Sequence, residues 1–283
     1  MTFVVFDIGG TKTRVGFSND GKRLAKVLNL STEKDPSAGI DEIVRVIEGH
    51  LDTKPTAIAG GIRGVMRDDR LGIDHDAILS DWANISVVDA LHDHFKTKVF
   101  LENDTALAGL GEAVHGAGKG IDIVVYHTVS TGVGGVKIVA GEIDAASVGF
   151  EPGHQVLDID RTILGEQVQP TLENLVSGRA VEERMGVKPY EIDQDDVIWD
   201  ELAGFLAQGL RNTALYWSPE AIILGGSMMV GDPKIPLDSV RRATVAVLDG
   251  VVPCPFITTA ALGDEAGLYG ALVFLQQKLD SVK

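Results

Sequence analysis

Residues 3–13 read FVVFDIGGTKT, and this stretch decides the fold. An apolar run ends at Asp7, two adjacent glycines follow, and a second run begins at Thr13. Two glycines between strands let the backbone approach a ligand closely and point its N–H groups at a phosphate. The stretch therefore predicts a strand, a turn at residues 9–12 (the first glycine turn) and another strand. An ordinary hairpin without a ligand is the alternative.

Similar glycine turns follow two other apolar runs. The sequence reads TGVGG at residues 131–135 (the second glycine turn) and LGGS at 224–227 (the third). Three such turns are hard to explain as hairpins alone, and their repetition predicts two lobes of similar plan that share a cleft. Asp7, at the end of its strand, is placed to meet a hydrated magnesium ion.

Strands and helices alternate outward from these turns. Short apolar runs predict strands at 3–6, 13–17, 57–59, 99–101, 121–126, 134–139 and 222–224. Apolar residues at helical spacing predict helices at 40–51, 104–114, 196–217 and 266–279. This alternation predicts an α/β protein with more than one sheet.

Composition narrows the classes of function. The 283 residues are 45% hydrophobic, and the formal net charge is −16, which disfavours nucleic acids and anionic membranes as partners. Cys254 is the sole cysteine, so neither an internal disulfide nor a cysteine-based zinc site is expected. Since no basic segment precedes the first strand and no apolar run approaches about 20 residues, we expect a cytoplasmic chain without a membrane span.

Three common site patterns are not supported. GFSNDGK at 16–22 has the spacing of a P-loop, but Arg23 follows where Ser or Thr is needed, so a hairpin turn is the better interpretation. His92 and His94 point in different directions on a helix and are predicted to lie at the surface. The sequence has no Gly-x-Ser-x-Gly element, which disfavours a hydrolase.

Taken together, the motifs resemble those of the ROK sugar kinases. DIGGTK at 7–12, ENDTA at 102–106, TGVGG at 131–135, EPGH at 151–154, LGG at 224–226 and DEAGLYGA at 264–271 occur in that family's order. The resemblance implies a two-lobed actin-like ATPase (ribonuclease H-like) fold with a central cleft. It implies a small lobe at 1–112, onto which a helix at about 268–283 packs back, and a large lobe at 113–267.

The resemblance also implies residue roles. Asp104 matches the catalytic base that takes the proton of the attacking sugar hydroxyl, although Asp also favours a helix N-cap, which is the alternative role. The residues implied to bind the sugar are Gly64, Asn103, Asp104, Glu151, His154 and Glu173. The residues implied to bind the nucleotide are Asp7, Gly9, Gly10, Thr11, Lys12, Thr131, Gly132, Gly225 and Gly226, with Asp7 also meeting magnesium through water.

Two departures from the family pattern stand out. Most members carry a zinc-binding cysteine loop after the Gly-His pair, but residues 155–171 contain no cysteine, so no zinc is expected and His154 is kept only as a sugar ligand. Apolar residues of that stretch are expected to form a small local core instead: Ile159, Ile163, Leu164 and Val168. Arg63 stands where a proline before glycine is usual, and this arginine could alter substrate choice.

The activity implied is ATP-dependent phosphorylation of a hexose, glucose to glucose 6-phosphate first, with ATP and Mg²⁺ and in a homodimer. The alternatives are an N-acetylhexosamine kinase, acting on N-acetylmannosamine or N-acetylglucosamine, and a non-catalytic sugar-sensing relative. Sensors of this kind carry an N-terminal helix-turn-helix, for which we expect no room before Asp7. The presence of Asp104 favours an enzyme, because a sensor needs no base.

Overall fold

The computed structural model describes residues 2–147 and 149–281. The strands are β1 (Phe3–Ile8), β2 (Lys12–Ser18), β3 (Lys26–Ser31), β4 (Ala57–Ile62), β5 (Val65–Met66), β6 (Ile73–His75), β7 (Lys98–Asn103), β8 (Ile123–Val129), β9 (Val133–Val139), β10 (Glu142–Ile143), β11 (Ala221–Gly225) and β12 (Phe256–Thr259). The helices are α1 (Pro36–Glu48), α2 (Val87–Phe95), α3 (Asp104–Val114), α4 (Leu172–Val176), α5 (Gly178–Met185), α6 (Ile198–Trp217), α7 (Ser227–Val230), α8 (Leu237–Leu248) and α9 (Ala266–Asp280).

The chain forms two compact units. Unit 1 comprises Met1–His115, Ala145–Gly149 and Asp264–Lys283, and unit 2 comprises Gly116–Asp144 and Phe150–Gly263. Within the described residues, no helix is both long enough and apolar enough to span a membrane.

Unit 1 is built on a five-stranded mixed sheet with the order β3-β2-β1-β4-β7. β1, β2 and β3 pair antiparallel, whereas β4 and β7 extend the sheet in parallel from β1. The apolar faces of β1 and α1 bury Phe6, Ile8, Ile43 and Ile47 in one core. This sheet carries the first glycine turn between β1 and β2.

The C-terminal helix α9 packs against α3 in the same unit. Glycines make the close approach possible, because a β-carbon on Gly270 would overlap the Leu107 carbonyl and one on Gly111 would overlap the Ala266 carbonyl. α3 begins directly after β7, so this contact supports the segment that carries Asp104.

Unit 2 repeats the plan with the strand order β10-β9-β8-β11-β12. β8, β9 and β10 pair antiparallel, and β11 and β12 extend the sheet in parallel from β8. α6 packs Trp199, Leu202 and Leu206 into a core shared with Val125 and Ile222 of the sheet. The second glycine turn joins β8 to β9, and the third follows β11, so the predicted repetition is present in the fold.

Candidate active site

Asp7 lies one residue before the end of β1, and the carboxylates of Asp104 and Asp264 add negative charge near it. The hairpin register sets Asp7 opposite Arg14. Arg14 Nη1 lies 3.4 Å from Asp7 Oδ2, and Arg14 Nη2 lies 2.9 Å from Asp264 Oδ2. Burial, followed by repulsion from Asp104, raises the pKa of Asp7 to about 7, although Arg14 opposes the rise. Asp7 therefore lies near two other carboxylates, Asp104 and Asp264, and Arg14 offsets their effect only in part.

The first glycine turn is closed by one backbone hydrogen bond and by one hydrogen bond from a threonine side chain. The Gly9 N–H donates to the Lys12 carbonyl at 3.0 Å, and the Thr32 hydroxyl donates to the Gly9 carbonyl at 2.8 Å. A β-carbon on Gly10 would lie 3.2 Å from the Ile78 side chain, so little space remains there for anything larger than glycine. Thr11 and Lys12 are exposed at the tip of the turn.

Asn103 and Asp104 lie where β7 passes into α3. The Asn103 side chain is the N-cap, because its Oδ1 accepts the Ala106 N–H at 3.0 Å, so the N-cap role considered for Asp104 is wrong. Asp104 Oδ1 accepts the Thr105 N–H at 2.7 Å, and Asp104 Oδ2 makes no hydrogen bond to any described residue. Burial raises the pKa of Asp104, and the hydrogen bond from Thr105 opposes that rise. Asp104 thus combines a fixed orientation with one oxygen available to a substrate.

Gly64 is held against this pair by Asn103. The Asn103 Nδ2 group donates to the Gly64 carbonyl at 3.0 Å. Gly64 has φ +117°, a conformation that favours glycine, and a β-carbon there would lie 3.0 Å from both Asp76 Cβ and the His75 carbonyl. A larger residue at 64 would therefore displace the turn that follows β4.

Unit 1 brings Asp7 and Asp104 close to each other. A β-carbon on Gly61 would lie 3.1 Å from Asp104 Cα and 3.5 Å from Asp7 Oδ1. The predicted site residues of this unit therefore form one group at the carboxyl ends of β1, β4 and β7: Asp7, Gly9, Gly10, Thr11, Lys12, Gly64, Asn103 and Asp104.

In unit 2, Glu173 is bound to the second glycine turn. Glu173 Oε2 accepts the Val133 N–H at 2.9 Å, and Arg179 Nη2 donates to Glu173 Oε1 at 2.8 Å. A β-carbon on Gly132 would lie 2.7 Å from Glu173 Oε2. Both oxygens of this carboxylate are thus engaged, and Thr131 is exposed beside them.

Glu151 precedes a short 3₁₀ turn at Pro152–His154, and His154 is the last residue of that turn. His154 Nε2 lies 3.9 Å from Glu151 Oε2, and both side chains are exposed. Gly153 between them packs directly on the Val133 backbone, where Glu173 also binds. The three sugar-binding residues predicted in this unit are therefore grouped around Val133.

The third glycine turn abuts the second. Gly226 has φ +84°, and a β-carbon on it would overlap the Val129 carbonyl that precedes the second turn. A β-carbon on Gly225 would overlap the Tyr126 hydroxyl. Unit 2 therefore brings together Gly225, Gly226 and the second glycine turn, as unit 1 does with its own turn.

Residues 155–171 are organised by a carboxylate. Asp158 is 4% exposed, and its oxygens accept the N–H groups of Thr162, Ile163 and Leu164 at 3.1, 3.2 and 2.7 Å. The predicted local core is wrong for two residues, since Ile159 is 77% exposed and Ile163 46% exposed, whereas Leu164 packs on the core of unit 2. A loop closed by one carboxylate needs less apolar packing. No group of three or more His, Cys, Asp or Glu residues suited to a metal occurs within residues 2–147 and 149–281.

The sequence did not predict three charged residues that contact the site residues of the two units: Arg14, Asp76 and Arg179. Arg14 had a usable signal, because a hairpin folded at residues 9–12 places residue 14 opposite residue 7. Asp76 binds Arg63 across 13 residues and Arg179 binds Glu173 across six, and neither has a local sequence signal.

The chain matches one protein family over nearly its whole length. The model of the ROK family matches residues 3–278. The chain belongs to the ROK family. Among ROK proteins of known structure, the ROK hexokinase of Thermus thermophilus is 28% identical, with a TM-score of 0.86 over 98% of this chain and 100% of that one. This similarity confirms the predicted α/β fold of the actin-like ATPase type.

Two further relatives carry more specific names. A ROK glucokinase from Streptomyces griseus, whose structure contains glucose and AMPPNP, is 26% identical with a TM-score of 0.78 over 98% of this chain and 100% of that one. A fructokinase of Lactococcus lactis subsp. cremoris is 27% identical over 88% of this chain and 86% of its own length. These two relatives are both named as sugar kinases, and their names differ in the sugar.

Proposed function

We propose that this ROK protein is a kinase that transfers the γ-phosphoryl group of ATP to a hexose hydroxyl, with the 6-hydroxyl of glucose as the first candidate. The observation that carries the proposal is Asp104: a half-buried carboxylate of raised pKa with one oxygen held by Thr105 and the other available. A regulator that only binds sugar has no need of such a group.

The chemistry follows from the position of Asp104. As a general base it takes the hydroxyl proton while the sugar oxygen attacks phosphorus, and ADP leaves with the electron pair of the broken bond. A raised pKa suits this role, because the carboxylate then binds the proton more readily at neutral pH. Asn103, fixed by its N-cap bond and by Gly64, would hold a neighbouring sugar hydroxyl.

Asp7 fits a magnesium ion held through water. Burial is the main cause that raises the pKa of Asp7 to about 7, and the nearby carboxylates Asp104 and Asp264 add negative charge that a divalent cation would neutralise. A bound Mg²⁺ would supply charge neutralisation for the phosphates of ATP. The first glycine turn, with the exposed Lys12, is proposed to meet the same phosphates through its N–H groups.

In unit 2, we propose two sets of ligand-binding residues. Glu151, His154 and Glu173 would bind sugar hydroxyls, while Thr131 and Gly132 and the third glycine turn would bind nucleotide. The glucokinase structure with AMPPNP supports ATP as the donor. The fructokinase similarity makes fructose the second sugar to test, followed by N-acetylmannosamine and N-acetylglucosamine.

Coupled ADP release over this panel of sugars tests the proposal. We expect sugar-dependent turnover that Asp104→Asn lowers by about 10²–10⁴-fold, with sugar affinity largely retained, because the amide cannot take the proton. Asp89→Asn, an exposed aspartate in the first turn of α2, is the matched control and should keep parental turnover. Tight sugar binding without turnover in the parent would instead favour the sugar sensor.

A further inference from the structure

Arg63 lies between the first glycine turn and Asp104 in the sheet of unit 1. The parallel register aligns Ile8, Ile62 and Asn103 across β1, β4 and β7. Neighbouring strands lie about 4.8 Å apart, and Arg63 is the residue that directly follows the middle strand. The carboxyl ends of the three strands therefore present the glycine turn, Arg63 and Asp104 in that order.

Two hydrogen bonds anchor Arg63 at this position. Its backbone N–H donates to the Ile8 carbonyl at 3.0 Å, and its Nε donates to Asp76 Oδ2 at 2.9 Å. Asp76 is itself fixed, because its Oδ1 accepts the N–H groups of Ile78 and Leu79 at 2.8 and 2.9 Å. A proline at residue 63 would have no N–H for the bond to Ile8. The arginine is therefore held at both its backbone and its side chain.

The outer end of the guanidinium remains available. Nη1 and Nη2 make no hydrogen bond within the part of the chain that the structure describes, which leaves four N–H donors. The stem lies over the first glycine turn, since Arg63 Cδ is 3.8 Å from the place of a β-carbon on Gly10. Its positive charge also acts on Asp104, lowering the pKa of that carboxyl against the effect of burial.

We propose that the Arg63 guanidinium binds the phosphoryl group while it is transferred from ATP to the sugar hydroxyl. This inference rests on the proposed kinase activity. In the transfer, the sugar oxygen forms the new bond to phosphorus, the bond from phosphorus to the leaving oxygen of ADP breaks, and Asp104 takes the hydroxyl proton. Arg63 stays protonated throughout and donates hydrogen bonds to the equatorial phosphoryl oxygens. Its positive charge offsets their negative charge, and its planar pair of NH₂ groups can bind two of these oxygens at once.

The position, rather than the charge alone, distinguishes this arginine. Arg67, four residues on, has the same exposed side-chain fraction, 31%, and also pairs with an aspartate, Asp69. Its N–H donates to the Gly72 carbonyl, and it follows β5 rather than the end of a strand next to β1. Arg67 is therefore the matched control.

The test compares Arg63→Lys with Arg67→Lys in the full-length protein. Lysine keeps the charge and a donor for Asp76 but loses the fork. We expect Arg63→Lys to lower kcat by about 10²–10³-fold with sugar KM within threefold, and Arg67→Lys to stay within threefold in both. Binding of aluminium fluoride in the presence of ADP, Mg²⁺ and the sugar, followed by calorimetry, should weaken by a similar factor only in Arg63→Lys.

Arg63→Ala provides a second test if the Arg63→Lys variant does not fold. Arg63→Ala should regain part of its kcat when guanidinium ion is added, and Arg67→Ala should show no such gain. If the parent is active and the Arg63 variants retain its kcat and its affinity for aluminium fluoride, the proposed role of Arg63 is overturned and the proposed kinase activity is not. A change confined to sugar KM would overturn it too, and would make Arg63 a sugar contact. A parent with no sugar-dependent ADP release would overturn both proposals.

Discussion

His127 couples the stability of unit 2 to pH. The imidazole is fully buried on β8, stacks on Trp217 with centroids 6.0 Å apart, and places Nε2 3.0 Å from the Thr213 hydroxyl. Its Nδ1 is buried without a hydrogen-bond partner among the described residues. Burial lowers the pKa of His127 from 6.5 to about 4, because the interior disfavours the charged imidazolium.

The direction of the effect follows from proton binding. In the unfolded chain this histidine takes up a proton as pH falls through 6.5, whereas in the folded protein it stays neutral down to about pH 4. The stabilisation from a neutral His127 is therefore complete above pH 6.5 and is lost as pH falls toward 4. Each pKa unit corresponds to about 1.4 kcal/mol, so we expect a loss of about 2 kcal/mol between pH 7 and pH 5.

Asp7 works in the opposite sense in unit 1. Its pKa is raised from 3.8 to about 7, so the folded protein holds a proton that the unfolded chain has released over that range. Its contribution to stability therefore grows as pH falls from 7 toward 4. The two effects mask each other in the parent protein, and only a comparison between variants isolates His127.

Urea unfolding of the parent and His127→Gln at pH 7 and pH 5 provides that comparison. The glutamine variant should be less stable at pH 7, and its deficit relative to the parent should shrink by about 2 kcal/mol at pH 5. His75→Gln, a change at an exposed histidine, serves as the control and should follow the parent at both values. A deficit that stays constant between the two pH values would refute the argument that a buried neutral imidazole is responsible.

Three further outcomes are expected. Gly270→Ala should destabilise the protein by about 1–3 kcal/mol in thermal unfolding, because its β-carbon would overlap the Leu107 carbonyl. Gly204→Ala should raise stability by up to about 1 kcal/mol, because a β-carbon there would lie within 4 Å of no described atom apart from the adjacent backbone of its own helix. Equal effects would refute the close α3–α9 contact. Asp158→Ala should make residues 159–164 a site of rapid limited proteolysis, while unchanged cleavage would show that the carboxylate does not hold the loop. Elemental analysis of tag-free protein should find no stoichiometric zinc, and activity should survive chelation followed by magnesium alone; restoration only by zinc would contradict this.

Strands next to glycine turns could be predicted because short-range patterns determine them. The predicted helix at 104–114 has the observed bounds, and the strands before the first and third turns were found but made too short. β3 and β12 were missed for a common reason: they lie at sheet edges, where half-exposed residues weaken the apolar signal. Edge strands are fixed by pairing with a neighbour, which the local sequence does not encode.

Within the candidate site, the same distinction separates backbone features from side-chain pairs. Glycine turns and the Asn103–Asp104 step could be predicted because strand ends and helix starts have local signatures. The Arg63–Asp76 pair could not be predicted, because the two-stranded sheet of β5 and β6 separates the two residues in sequence. The chain returns from this sheet to place Asp76 beside the end of β4. Sequence showed that Arg63 was unusual, and only the fold shows which carboxylate orients it.

The two five-stranded sheets have the same strand plan, so equivalent positions in the two units can be compared. β4 in unit 1 and β11 in unit 2 hold the same place in their sheets, each next to the strand that precedes a glycine turn. After β11 come Gly225 and Gly226, whose lack of side chains leaves the backbone itself exposed to the proposed nucleotide. After β4 comes Arg63, a cation with four N–H donors that no described residue accepts, followed by Gly64. The same position in the two sheets is thus followed by bare backbone in unit 2 and by a fixed positive charge in unit 1. In the proposed reaction that charge acts beside Asp104, which takes a proton while the nucleophile attacks a highly charged phosphoryl group.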